Sequence, residues 1–461
     1  GDVVVSNHPY EAGVPHVSDM AFIAPIFFDG ILVGFDHTCF EDWIYINNQD
    51  GTFTESYELM GLLNDGCTLA LAATDYDRDG DADLLIANDF GSWVEPNRLF
   101  ENQETTEWAD VSEASNWDHG IYGMGVATGD FDEDLDLDYY ITNLGHNIML
   151  EQNNGVFEEI GQDLGISNGL NGDLFATGWG TFFFDCNNDT YLDLFVCNGH
   201  IPTIEFIANE VNDPNKLFLG DSQFEFEDAS ELFGVADTLI GRGCAYSDYD
   251  KDGDLDFVVM NIPNNVSQPT NQNIRLFKNE NEGGNWVILT LEGTWSNPNA
   301  IGSQVELYAD GRTFLREITG GGSHASQSSY ALHFGLADIA GIDSAQIAWP
   351  DGQTQIVSPA INDYNHYIEG EIVPSVNEIA NKTSVFPNPT NREFHAILDE
   401  NVDLDEIVVF DAHGRFVKVI CTKVSPRRVE VIFPDDVEAG IYFLHVSNDS
   451  SRSPTPIFLV R

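Results

Sequence analysis

The sequence predicts an all-β chain, a partial β-propeller followed by two small β-sandwiches, on three observations. An acidic loop that runs into a short apolar strand recurs four times between residues 75 and 261. Helical periodicity is nearly absent. Turns marked by Gly or Asp-Gly punctuate the rest of the chain at short intervals. With 461 residues, 42% of them apolar and 12% aromatic, the chain can bury several cores. Its length fits about two to four domains at roughly 100 to 200 residues each.

The recurring loops are Asp75, Asp77, Asp79, Asp81, Asp83; Asp130, Asp132, Asp134, Asp136, Asp138; Asp185, Asn187, Asp189, Tyr191, Asp193; and Asp248, Asp250, Asp252, Asp254, Asp256. Their starts are 55, 55 and 63 residues apart. Each leads into a short strand ending at Asn88, Asn143, Asn198 or Asn261. A second element, an apolar strand, Asn residues and a turn leading to Phe, occurs at Trp43 to Phe53, Ile148 to Phe157 and Leu217 to Phe226. Asp50-Gly51 suits the positive φ of a tight hairpin turn. A unit of about 55 residues holding several short antiparallel strands is the size of one propeller blade.

Carboxylates at loop positions 1, 3, 5 and 9, with a backbone carbonyl at position 7, gather hard oxygens around one point. Their mutual repulsion is relieved by a cation, and Ca2+, which takes 6 to 8 oxygens at about 2.3–2.6 Å, fits best. Position 6 favours Gly and has it at Gly80 and Gly253, while Leu135 and Thr190 stand there in the second and third loops. Eighteen Lys or Arg against 77 Asp or Glu give a net charge of -59, which four calcium ions would reduce only to -51. Such a surface excludes nucleic-acid binding through phosphate contacts and docking on anionic membranes. No apolar run reaches the about 18 residues of a spanning helix, so no membrane insertion is expected.

Residues 40–285 resemble the FG-GAP/VCBS family of calcium-binding propeller repeats, in the Asp-x-Asp-x-Asp-Gly-Asp-x-Asp-Leu pattern and in Asn198-Gly-His-Ile, a phrase of its cartilage-acidic-protein-like branch. The stretch holds four to five blades at about 55 residues each, where the family usually closes with about seven. From 286 to 367, Ile301-Gly-Ser-Gln-Val-Glu-Leu-Tyr, Gly320-Gly-Gly-Ser-His, Leu332-His-Phe-Gly-Leu and Ile347-Ala-Trp-Pro-Asp-Gly resemble the ASPIC/UnbV domain. The Asp310-Gly311 and Asp351-Gly352 turns there separate the strands of a sandwich. After a polar linker at 368–382, residues 383–461, with Val385-Phe-Pro-Asn-Pro and Ala439-Gly-Ile-Tyr-Phe-Leu, resemble the C-terminal sorting domain of type IX secretion. That resemblance implies an Ig-like module read by the export machinery, and a protein secreted to, or held on, the outer surface of a Bacteroidetes-type bacterium.

Residues 1–35 stand outside the repeat and resemble a fragment of the hydantoinase B/oxoprolinase family, in Gly1-Asp-Val, Asn7-His-Pro, His16-Val-Ser-Asp19 and Pro25-Ile-Phe-Phe-Asp-Gly. That resemblance offers His8, His16 and Asp19 as metal ligands of a cyclic-amide hydrolase, but the His/Asp-rich continuation is missing. No HExxH or Ser-x-x-Lys motif occurs, and no catalytic residue is assigned. The expected role is therefore binding or adhesion toward an extracellular protein or polysaccharide. The paired glycines at 123/125, 178/180 and 241/243 read as places of close backbone packing. His200 reads as structural. Trp93, Trp108, Trp117 and Trp179 read as packed inside blades, and Cys186 and Cys197, which bracket one apolar stretch and could meet across a turn, as small buried thiols.

Overall fold

The computed structural model describes residues 61–370 except 104–107, 172–173, 202–211, 263–273, 282 and 351, together with strands and short connections between 26 and 55 and between 384 and 459. Every regular element among these residues is a strand. They form two compact units, residues 1–371 and 372–461.

In the first unit, four acidic loops each join the inner two strands of an antiparallel meander. The blades are Cys67–Thr74, Asp83–Asp89, Arg98–Glu101 and Ala109–Asp110; then Val126–Gly129, Asp138–Ile141, Ile148–Asn153 and Val156–Glu159; then Gly178–Phe184, Asp193–Asn198, Lys216–Gly220 and Phe226–Asp228; then Ile240–Ser247, Asp256–Ile262 and Arg275–Phe277. A further meander of Ile26–Phe28, Ile31–Asp36, Trp43–Asn47 and Phe53–Glu55 precedes them. The boundary expected between residues 35 and 40 thus falls within one sheet, because Gly34 pairs with Tyr45 and Phe35 with Ile44.

Blades stack face to face, so their inner strands have no solvent face. Asp83–Asp89, Asp193–Asn198 and Gly178–Phe184 are buried along their whole lengths. This explains continuous apolar runs such as Leu84-Leu85-Ile86-Ala87 where a half-exposed strand would alternate. Aromatic rings lock neighbouring blades, with Phe195 4.4 Å from Phe257 and Trp117 5.4 Å from Tyr139 between centroids. Each fully buried ring of this kind contributes roughly 1.5–3 kcal/mol. The paired glycines lie where inner strands touch. A Cβ on Gly125 would strike the Trp179 carbonyl, one on Gly180 the Arg242 carbonyl, and one on Gly243 would lie 3.0 Å from the His324 carbonyl.

His324 belongs to a Gly- and Ser-rich segment that runs along the inner strands of all four blades. Gly320 and Gly321 pair antiparallel with Ala73 and Ala72, and the Gly322 amide donates to Leu71 O. The Ser323 amide donates to Val126 O, and Ser323 Oγ accepts from the Thr181 amide at 3.1 Å. Ser326 Oγ accepts from the Cys244 amide, and the Ser329 amide donates to Tyr246 O. Residues 320–329 thus line the propeller axis, and His324 meets the last glycine pair as a next blade would. A cavity of about 50 Å³ remains beside Glu317, Thr128, Thr181 and Ser328.

The rest of residues 285–370 is a sandwich. A three-stranded sheet built on Asn285–Glu292 and a four-stranded sheet built on Gln304–Ala309 enclose Val287, Leu289, Val305, Leu307, Phe314 and Phe334. Asn285–Glu292 pairs in parallel with Tyr364–Ile368. Buried Glu369 accepts three backbone amides, from Thr294, Trp295 and Ser296, on one oxygen. The sandwich therefore continues past the linker start expected at 368. In the second unit, two four-stranded sheets face each other across Val409, Val431, Phe433 and Leu444.

Candidate metal centre

All four acidic loops follow one backbone path. Position 4 is left-handed in each, with φ of 61° at Arg78, 61° at Glu133, 58° at Asn188 and 63° at Lys251. Position 6 is as well, at 102° for Gly80, 73° for Leu135, 90° for Thr190 and 96° for Gly253. The second and third loops therefore hold the glycine conformation with side chains that resist it. Two observed networks hold it there. The position 7 amide donates to the position 5 side chain, at 3.1 Å for Asp81 to Asp79 and 3.0 Å for Asp136 to Asp134. The position 9 carboxylate is a staple, as Asp83 accepts the Tyr76 amide on Oδ2 at 3.1 Å and the Asn102 amide on Oδ1 at 2.9 Å. Asp138, Asp193 and Asp256 repeat that arrangement.

The path brings positions 1, 3 and 9 together. Ligand oxygens of Asp75, Asp77 and Asp83 lie within 4.8 Å of one another, as do those of Asp130, Asp132 and Asp138, and those of Asp248, Asp250 and Asp256. The third loop gathers no such trio among the described residues. There Asn187 replaces a carboxylate and donates to Asp189 at 2.9 Å, and Asp185 accepts the Asp189 and Thr190 amides. The Tyr191 ring packs against Phe224 and beneath the Arg312 guanidinium. Asp254, at position 7 of the fourth loop, accepts Asn188 Nδ2 at 2.7 Å, and Lys278 lies 3.0 Å from Asp250 and 3.9 Å from Asp252.

The electrostatics favour a cation. Burial, then the nearby charges of Glu317, Asp77 and Asp79, push the Asp75 carboxyl up to about 8. Burial raises Asp130 to about 7 against the opposing pull of Arg316. Burial with neighbouring carboxylates raises Asp132 to about 6 and Asp136 to about 7. Asp130 is 2% exposed, and apart from the Leu135 amide, which lowers its pKa, its carboxylate oxygens have no hydrogen-bond partner; one oxygen each of Asp75 and Asp136 has none. A buried carboxylate left bare is costly unless it is protonated or bound to a cation. The donor set is all oxygen, which suits Ca2+ and not softer metals.

The remaining sequence expectations divide. Trp108, Trp117 and Trp179 are buried, but Trp93 is 79% exposed. It sits on the turn after Asp83–Asp89, where its indole donates to Tyr122 Oη at 3.2 Å beside half-exposed Phe90. The turn is fixed by backbone bonds from Trp93 and Val94 to Phe90 O, with Phe90 at φ 56°, so local hydrogen bonding holds an aromatic residue out of the core. Cys67, Cys186, Cys197 and Cys244 are buried free thiols, whereas Cys421 is half-buried. His200 is buried, and its carbonyl accepts Arg242. His8, His16, Asp19 and Cys39 lie outside the described residues. Sequence reasoning missed Gln304, Arg312, Arg316, Glu317, His333 and Tyr364, which reach the loops from the sandwich. Their positions carry no repeat pattern that could have marked them.

Comparison with known proteins gives three family matches. Family profiles match residues 30–86 and 75–141 as FG-GAP-like repeat, residues 293–371 as ASPIC and UnbV, and residues 384–458 as secretion system C-terminal sorting domain. Cartilage acidic protein 1 of Xenopus tropicalis is 27% identical over 300 residues, covering 62% of this chain and 42% of that protein. The Homo sapiens protein is 25% identical over 301 residues, with the same coverage. The chain thus spans less than half the length of these relatives. Among solved structures, the V. cholerae biofilm matrix protein Bap1 aligns over 93% of this chain and 68% of its own, at 11% identity and a TM-score of 0.30. The Dos1 propeller aligns over 75% of this chain and 78% of its own, at 10% identity and a TM-score of 0.28. Among the described residues no helix is long and apolar enough to cross a membrane. The chain is a secreted or cell-surface β-propeller protein of Bacteroidetes type, built from FG-GAP-like repeats, an ASPIC and UnbV domain and a C-terminal sorting domain.

Proposed function

We propose that this protein is a calcium-stabilised propeller that serves adhesion or ligand binding outside the cell, delivered there by type IX secretion machinery acting on the C-terminal domain. The observation that carries the calcium reading is Asp130, buried between Asp132 and Asp138 with no partner for its carboxylate but the Leu135 amide. Asp75, Asp77 and Asp83, and Asp248, Asp250 and Asp256, would hold ions in the same way. When bound, the ion supplies charge neutralisation and loop rigidity and no reaction chemistry. The third loop, already hydrogen-bonded internally, is the weakest candidate.

Ligand binding is assigned to the opposite blade ends. The acidic loops stand at one end of the inner strands and are met by the sandwich, whereas Phe90, Trp93 and Val94 are exposed at the other end of Asp83–Asp89. An exposed Trp there offers a flat face to a protein or polysaccharide. Thermal unfolding with calcium and with chelator tests the first assignment, and a rise of several degrees with calcium is expected. A glycan and extracellular-protein array probed with the parent and Trp93→Ala tests the second; equal binding by both would remove Trp93 from the site.

A further inference from the structure

The sandwich touches every acidic loop, and it does so through atoms of the loop path that brings the carboxylates together. At the first loop, Gln304 Nε2 donates to Asp75 O at 2.8 Å, the Asp75 amide donates to Glu317 Oε1 at 2.7 Å, and Arg78 pairs with Glu306. At the second and third, Arg312 pairs with Glu133 and donates to Thr190 Oγ1 at 2.9 Å, and the Ala337 amide donates to Asn188 O. At the fourth, His333 Nε2 lies 3.1 Å from Gly253 O and Tyr364 Oη donates to Asp248 Oδ2 at 2.8 Å. These contacts fall on loop positions 1, 4 and 6, the first cation-facing residue and the two left-handed turns.

We infer that cation binding in the blade loops and docking of residues 286–370 onto them are one linked equilibrium. The inference rests on the calcium reading above. Without a cation, like charges within 4.8 Å repel, and the shared backbone path loses what balances it. The carbonyls, amides and side chains that receive the sandwich move with that path. Conversely, a docked sandwich fixes positions 1, 4 and 6 and so presents the carboxylates already converged. Linkage makes the two effects equal in free energy. The axis is drawn in as well, because residues 320–329 leave the sandwich to bond the inner strands, and loosening the docking loosens their amides.

Hydrogen exchange on the full chain, with and without calcium, tests this alongside a calorimetric calcium titration. The amides of Gly322, Ser323 and Ser329, which donate to Leu71, Val126 and Tyr246, are expected to exchange at least about tenfold faster in chelator, within the usual range of coupling. Gln304→Ala combined with Arg312→Ala, neither residue being in a loop, is expected to weaken calcium binding roughly five- to tenfold. Simple electrostatics predicts the opposite sign, since removing Arg312 takes away a repelling charge. Calcium bound with exchange at these amides unchanged overturns the linkage and leaves the cages standing. So does unchanged or tighter calcium binding by the double variant. Absence of any binding heat overturns the calcium reading itself, and the linkage with it.

Discussion

Asp130 concentrates the energetics of the whole site in one side chain. Its carboxylate is buried and raised to about 7, so Asp130→Asn has opposite effects in two media. In chelator at pH 7.5 it stabilises the chain by on the order of 2 kcal/mol, by removing a buried charge that Arg316 offsets only in part. In saturating calcium it destabilises, by removing ligand oxygens. Urea unfolding in the two media measures both signs. The pH dependence follows from the same groups. Asp75, Asp130 and Asp136 bind protons more tightly folded than unfolded, so in chelator stability falls as pH rises from about 4 to about 8. His333 opposes this at the acid end, since burial lowers it to about 4 and stability through it is lost as pH falls below the unfolded value near 6.5. Between pH 6.5 and 8 only the aspartates act, and melting curves there are expected to slope downward in chelator and to flatten with calcium.

At the scale of the loop and strand, most of the repeat was legible. The strand-ending Asn residues fulfil a definite task, since the amides of Asn88, Asn143 and Asn198 donate to Asn97, Asn147 and Asn215, and their side chains donate to the carbonyls of Pro96, His146 and Pro214. The Asn itself stands 13 residues after the loop start in all four repeats, whereas its partners lie 9, 4 and 17 residues further on, so only the first half of the network leaves a fixed spacing. The loop at Leu135 was less legible, because the chain adopts the glycine conformation without glycine and only neighbouring hydrogen bonds show why. Gly80 and Gly253 separate strain from space. A Cβ at Gly80 meets nothing nearer than Gly352 Cα at 3.8 Å, whereas one at Gly253 collides with the Trp286 ring. Gly80→Ala is expected to cost about 1–2 kcal/mol from backbone strain alone, and Gly253→Ala clearly more, by calcium-saturated urea denaturation. Equal costs would mean Trp286 does not seat against the fourth loop.

For the whole molecule, the order of modules could be read from composition and motif, but their interlocking could not. Gly320-Gly-Gly-Ser-His-Ala-Ser has turn chemistry, and nothing local tells that it pairs with Ala72 and Ala73 some 250 residues earlier. Long-range pairing of this kind is set by the fit of tertiary surfaces, to which propensity is blind. Trp93 escaped the same way, since an apolar residue in a blade sequence signals burial until the turn that carries it is seen. A net charge of -59 further separates the molecule's acidity from its cages, because four calcium ions leave most of it in solvent. The claim beneath every level is that the Asp loops enclose divalent ions, and metal analysis after equilibrium dialysis of the full chain against calcium tests it most directly. Three to four tightly held ions per chain are expected, falling by one when Asp130 and Asp132 are both changed to Asn; a chain that retains less than one ion, or the same number in the double variant, would contradict it.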